Sequence, residues 1–138
     1  MSLLVGRHVY WTLTNDAAVA EIVEGRVYPI AAEQGVSGRA WCTFEVQTTE
    51  PEYTKDGLVC DNHLVDVTCV APTYDDVIEL AECVRAALDQ NIVRYVEDGF
   101  GISDATLRGA EEGYDQNQGF VVRLTFGLES EPVTADEE

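Results

Sequence analysis

The side chains of this chain that are able to do chemistry are two histidines, four cysteines and several paired carboxylates. Cys60 and His63 stand at the C-x2-H spacing used by zinc sites, with Cys42 or Cys69 as further donors. In an extended strand, however, residues three apart leave on opposite faces, and no second close pair completes four ligands. Nucleophilic catalysis needs a Ser, Cys or Thr beside a base, and the only imidazoles are His8 and His63. No G-x-S-x-G elbow occurs, and His63 alternates in phase with Val65 and Val67, as a packed position does. In so acidic a chain, Asp75-Asp76 and Glu111-Glu112 read as a helix start and a solvated loop. Gly99-Phe100-Gly101 lacks the third glycine and the following helix of a phosphate loop. The expectation is a protein without enzymatic activity, with no catalytic residue, no cofactor and no metal.

The elements that would position any site centre on Val59 to Leu88. Its first half reads as a strand, with His63, Val65, Val67, Cys69 and Ala71 on one face and Leu64, Asp66, Thr68 and Val70 on the other. After a corner at Ala71-Pro72 comes a helix. Thr73 is placed to cap it, and Asp75 and Asp76 sit at the positive end of its dipole. Tyr74, Val77, Ile78, Ala81, Val84 and Leu88 form its apolar stripe.

Around this unit, residues 3 to 13 carry the repeat of a short helix. Asn15 or Asp16 caps a second through AAVAEIV, and Gly25 ends it. Val27 to Ile30 reads as an edge strand because of Pro29. After the loop AAEQGVSGR, AWCTFEVQTT is a strand. Glu50 to Gly57 is a polar loop, with Asp56-Gly57 as the hairpin signal. Asn91 onward extends the central helix until Gly99 breaks it. A strand around 102–110 and the loop EEGYDQNQG follow, and then the alternation from Phe120 to Leu128 makes the last strand. This order predicts an α+β fold: a mainly antiparallel sheet of four or five strands, a helix on one face and a short N-terminal helical segment. Only the step across the central helix needs a crossover. Residues 1–128 form one domain, and 129–138 form an acidic tail expected to be disordered.

Of 138 residues, 26 are acidic and 8 basic, for a net charge of −18. Five of the acids lie in the last ten residues, which leaves the body at −13. Such a surface has little with which to displace counterions, so wrapping nucleic acid or docking on anionic lipid is excluded, although DNA can pass beside it. No apolar run reaches the length of a membrane span, and the start lacks a signal-peptide plan, so the cytoplasm is the expected compartment. The cysteines show no paired CxxC spacing and read as reduced, packed thiols.

One resemblance joins these pieces. Asp16-Ala17-Ala18-Val19 through Ile22-Val23 leads to Gly25-Arg26-Val27-Tyr28-Pro29, and the strand AWCTFEV follows. Then come Val65-Asp66-Val67-Thr68-Cys69, the Tyr74-Asp75-Asp76 helix start, ELAECVRAAL, and a final Gly119-to-Phe126 strand. In this order the chain resembles the tail-completion (tail-terminator-like) proteins of long-tailed bacteriophages and prophages, over residues 9 to 128. The resemblance implies a virion structural part at the end of the tail tube, which caps tube growth and helps join it to the head connector. It also implies a homo-oligomeric ring, commonly of six, with DNA passing through the channel and no membrane. After assembly in the host cytoplasm the protein would reside in the virion tail.

A ring needs two different surfaces that fit each other. The candidates are the strand edge at Val27, Tyr28 and Ile30, the exposed aromatics Trp41, Tyr53 and Tyr114, and the hairpin loop carrying Asp56. Two alternatives stand beside this reading. One is another assembly or adaptor protein of the same build. The other is a small-molecule or metal-binding module, or small enzyme, whose site is too scattered to see.

Overall fold

The short helices at the start form where the sequence punctuates them. The computed structural model describes residues 4–30, 39–96 and 100–132. Helix α1 spans Val5–Asn15 and α2 spans Ala17–Val23, with Asp16 as the break between them. The Asp16 carboxylate accepts from Ala18 N–H and Val19 N–H, both at 3.1 Å, and so caps α2. The helix ends in left-handed backbone at Glu24 (φ 51°) and Gly25 (φ 85°), one residue earlier than the glycine alone implies.

Strands β1 (Val27–Pro29), β2 (Trp41–Thr54) and β3 (Gly57–Ala71) precede α3 (Tyr74–Leu88), and β4 (Val93–Val96), β5 (Phe100–Asp115) and β6 (Gly119–Pro132) follow it. The Thr73 hydroxyl accepts from Asp76 N–H at 3.2 Å, so α3 starts where its capping residue directs. All six strands form one sheet in the order β1-β2-β3-β6-β5-β4. β1 pairs with β2 in parallel, so the join between those two also crosses from one end of the sheet to the other. Every other pairing is antiparallel.

The α+β class stands, with several boundaries moved. The sheet has six strands rather than four or five, because short edge strands flank the long ones. Residues 93–96 form β4 and not an extension of α3. The stretch Glu50 to Thr54 continues β2, so the turn shrinks to Lys55-Asp56, with Gly57 at φ 118°. Likewise β5 runs through Glu111, Glu112 and Tyr114 to Asp115. β6 continues to Pro132 with Ser130 buried, so 129–132 belong to the sheet and not to a disordered tail. The loop at 31–38, the break at Gly99 and the tail beyond 132 lie outside the described residues.

The helices all lie on one face of the sheet. Val5, Val9 and Leu13 of α1, Val19 and Val23 of α2, and Val77, Leu80, Val84 and Leu88 of α3 meet Phe44, Val65, Val67, Leu124 and Phe126 in a single core. The other face carries no helix among the described residues.

Candidate functional site

Two polar staples hold the three central strands, one on each face. On the helix side, buried His63 of β3 reaches Thr49 Oγ1 of β2 through Nδ1 at 2.9 Å. Through Nε2 it reaches Ser130 Oγ of β6 at 2.8 Å. Burial lowers the His63 pKa, and the negative charge of Asp61 opposes that shift. On the open side, Asp66 accepts from Gln47 Nε2 of β2 and from Thr125 Oγ1 of β6, the latter at 2.7 Å. The His63–Ser130 pair has the atoms of a nucleophile and a base, but Ser130 is buried and gives a substrate no access. It is a structural staple.

Cys60 leaves β3 on the opposite face from His63, as strand alternation requires, and donates to Glu52 Oε2 at 3.3 Å. Burial, that hydrogen bond and the charges of Glu129, Glu52 and Glu131 push its thiol up to about 11. Cys42 and Cys69 face each other across β2 and β3 as free, buried thiols, and burial pushes Cys42 to about 12. None of these thiols is a ready nucleophile. Among the described residues no group of three His, Cys, Asp or Glu side chains is placed to hold a metal ion.

The notable surface is the open sheet face. Register places Glu45, Glu50, Glu52, Asp104, Glu111 and Glu129 on it, with Arg108 and Arg123 as its cations. Arg108 lies flat over Gly127, in space that a Cβ there would need. Beside it is a hollow of about 180 Å³ bordered by Glu50, Asp104 and Glu129. Two hairpins mark opposite ends of this face. The β2–β3 turn lies beyond Asp61 and Ser130, whereas the β5–β6 turn lies beyond Ala71 and Phe120.

The expected contact residues divide. Ile30 is 72% exposed beside β1, and Tyr28 is half-buried. Val27 is not a surface residue, because it faces the core opposite Cys42. Trp41 is also buried, beside Val70, and is not an exposed aromatic. Tyr53 and Tyr114 are each 64% exposed, but they sit in strands rather than loops, near opposite ends of the sheet. Asp56 is exposed at the β2–β3 turn. The structure therefore divides these among three places: Tyr28 and Ile30 at β1, Tyr53 and Asp56 at the β2–β3 hairpin, and Tyr114 at the opposite end of the sheet.

Residue-by-residue reading missed an aromatic group. Tyr74 at the start of α3, Phe120 of β6 and Tyr114 of β5 form a row, with ring centroids 5.8 Å and 4.9 Å apart. The Tyr74 hydroxyl donates to Glu112 Oε1 at 2.8 Å, and that bond is the main cause of its raised pKa. The available signal was the phase of Glu112 and Tyr114 in a strand read as a loop. Tyr10 and Trp11 form a second exposed pair, on α1, where Tyr10 packs on Phe44.

No protein-family model matches the chain, and no curated protein matches it. Solved structures do. A chain described as part of the virion of a native gene transfer agent particle superposes with a TM-score of 0.72 at 18% identity. The match covers 94% of this chain and 95% of that one. At that identity the two share a fold.

Proposed function

We propose that the chain is a structural component of a phage or prophage virion, completing or terminating the tail at the head–tail junction as a ring-forming homo-oligomer without catalysis. The observation that carries this reading is the fold shared, nearly end to end, with a chain of a gene transfer agent virion. The order of sequence pieces that resembles tail-completion proteins points the same way.

The charge layout supports it. With the helices on one side, a ring that turns the open face inward presents Glu45, Glu50, Glu111 and Glu129 to passing DNA. A basic wall would hold each phosphate by counterion release, and an acidic one does not. The two hairpins, at opposite ends of the sheet, then point along the channel toward different neighbours, the tail tube and the head connector.

The test is to add the purified chain to polymerising tail-tube protein and measure tube lengths by electron microscopy, with the chain's mass in solution from light scattering. The expected result is capped, shortened tubes and a discrete closed oligomer near six subunits, free or on the tube end. Tubes of unchanged length that carry none of the chain would overturn the reading.

A further inference from the structure

Among the described residues, β5 leaves its outer backbone edge open from Gly109 to Asp115. β4 reaches only as far as Ile102, through Val93 opposite Ile102 and Val96 opposite Phe100. The turn after α3 closes the next stretch, with Gln90 N–H on Ala105 O at 2.7 Å and Leu107 N–H on Asp89 Oδ1 at 2.9 Å. Beyond that, no strand pairs with this edge among the described residues. A row of free N–H and C=O groups is a template for one more strand.

Two glycines stand in this edge, Gly109 at a register shift of the β5–β6 ladder and Gly113 in regular pairing. A Cβ added at Gly109 or Gly113 meets no atom within 4 Å, and neither residue has a positive φ. Glycine weakens a strand; the bulge accounts for Gly109, and Gly113 needs another reason. The physical use that remains is close approach by another chain. On the helix side of the same edge stand Glu112 and Tyr114, joined by Tyr74 and Phe120 into the aromatic row. Exposed Asp75 and Asp76 follow Tyr74 on α3, while Glu111 and Asp115 stand on the opposite, open face of the same strand.

We propose that this edge takes up an extended segment of a different protein as an added strand, with Arg or Lys side chains on the helix side. Aromatic faces beside the carboxylates of Glu112 and Asp75 suit a guanidinium or ammonium, and the backbone edge supplies the pairing. Charge argues against a second copy as the occupant. Among the described residues the terminal strands β1 and β4 are short, and the other long open edge is β2 beyond Phe44, where β1 stops; it carries Glu45, Glu50 and Glu52. Pairing the two would set like charges side by side. Charge also excludes a nucleic acid strand. The proposal does not depend on ring formation.

The test is a titration of isotope-labelled full chain with an acetylated peptide of alternating Arg and Val, followed by amide NMR. Two double variants, G109V/G113V and Y74A/Y114A, keep the formal charge and replace exposed positions, so thermal melts will show them folded. We expect shifts concentrated at Gly109 to Asp115 and affinity reduced about tenfold or more in each variant. Equal affinity in wild type and both variants, or shifts spread over the acidic face, would overturn the proposal in favour of unspecific attraction. No binding overturns it as well. Self-association in light scattering that G109V/G113V abolishes would instead assign the edge to a second copy.

Discussion

At the scale of single residues, chemistry-bearing side chains have been turned to holding strands together. His63 is the clearest case, because alternation in phase with Val65 and Val67 already placed it in the core, and it is there. What one sequence cannot show is that its two nitrogens find hydroxyls from strands 14 and 67 residues away. Burial lowers the pKa of His63, and of His8 also, below the ordinary 6.5. The unfolded chain therefore binds more protons than the folded one between that lowered value and 6.5. The histidine contribution is fully present above pH 6.5 and is lost as pH falls through the lowered folded value. Urea midpoints are expected to drop between about pH 7.5 and pH 5.5, with a shallower drop in His8→Asn/His63→Asn. An unchanged slope in that double variant would rule the histidines out as the source of the pH dependence.

At the scale of elements, the helices and the long core-facing strands were legible because each carries both its period and its cap. Asp16 and Thr73 do what their positions imply. The misread stretches share a physical feature: their pairing is set from elsewhere in the chain. β4 lies on the edge of β5, beside the Asp89 and Gln90 contacts to Leu107 and Ala105. The end of β2 reads as a polar loop in the sequence, yet it pairs with β3 throughout, and Pro51 is placed on an edge that β1 does not reach. The open edge of β5 was invisible for the same reason, since GAEEGYD has neither apolar alternation nor a turn residue pattern once paired. Gly119 shows a local requirement of the opposite kind. It opens β6 at φ 110°, and a Cβ there would lie 2.6 Å from Ala71 O. Gly119→Ala should cost at least about 2 kcal/mol, read as a lower denaturation midpoint. Gly109→Ala, with room and ordinary backbone, should cost nothing measurable.

At the scale of the whole molecule, charge governs behaviour that the fold does not. A chain at −18 with two ion pairs among the described residues, Arg26–Glu24 and Arg85–Asp89, repels itself. Salt between about 0.05 and 0.5 M should raise the melting temperature and favour any self-association, because surface charges are screened within roughly 10 Å at 0.1 M. If ring closure is the working state, subunits must meet against this repulsion, and the acids that persist on the open face need a use that outweighs it. The β2–β3 hairpin separates the two demands, because Glu50, Glu52 and Asp56 lie at its end, away from the helix layer. Reversing all three to Lys leaves the core untouched and lowers the self-repulsion of the isolated chain, so its melting temperature should hold or rise. If that end of the sheet meets an axial neighbour, the same variant should fail to join tails to heads, counted as unjoined particles by electron microscopy. Normal joining by a well-folded triple variant would take the hairpin out of the junction and leave the opposite end of the sheet, with Tyr74, Phe120 and Tyr114, as the surface that meets a partner.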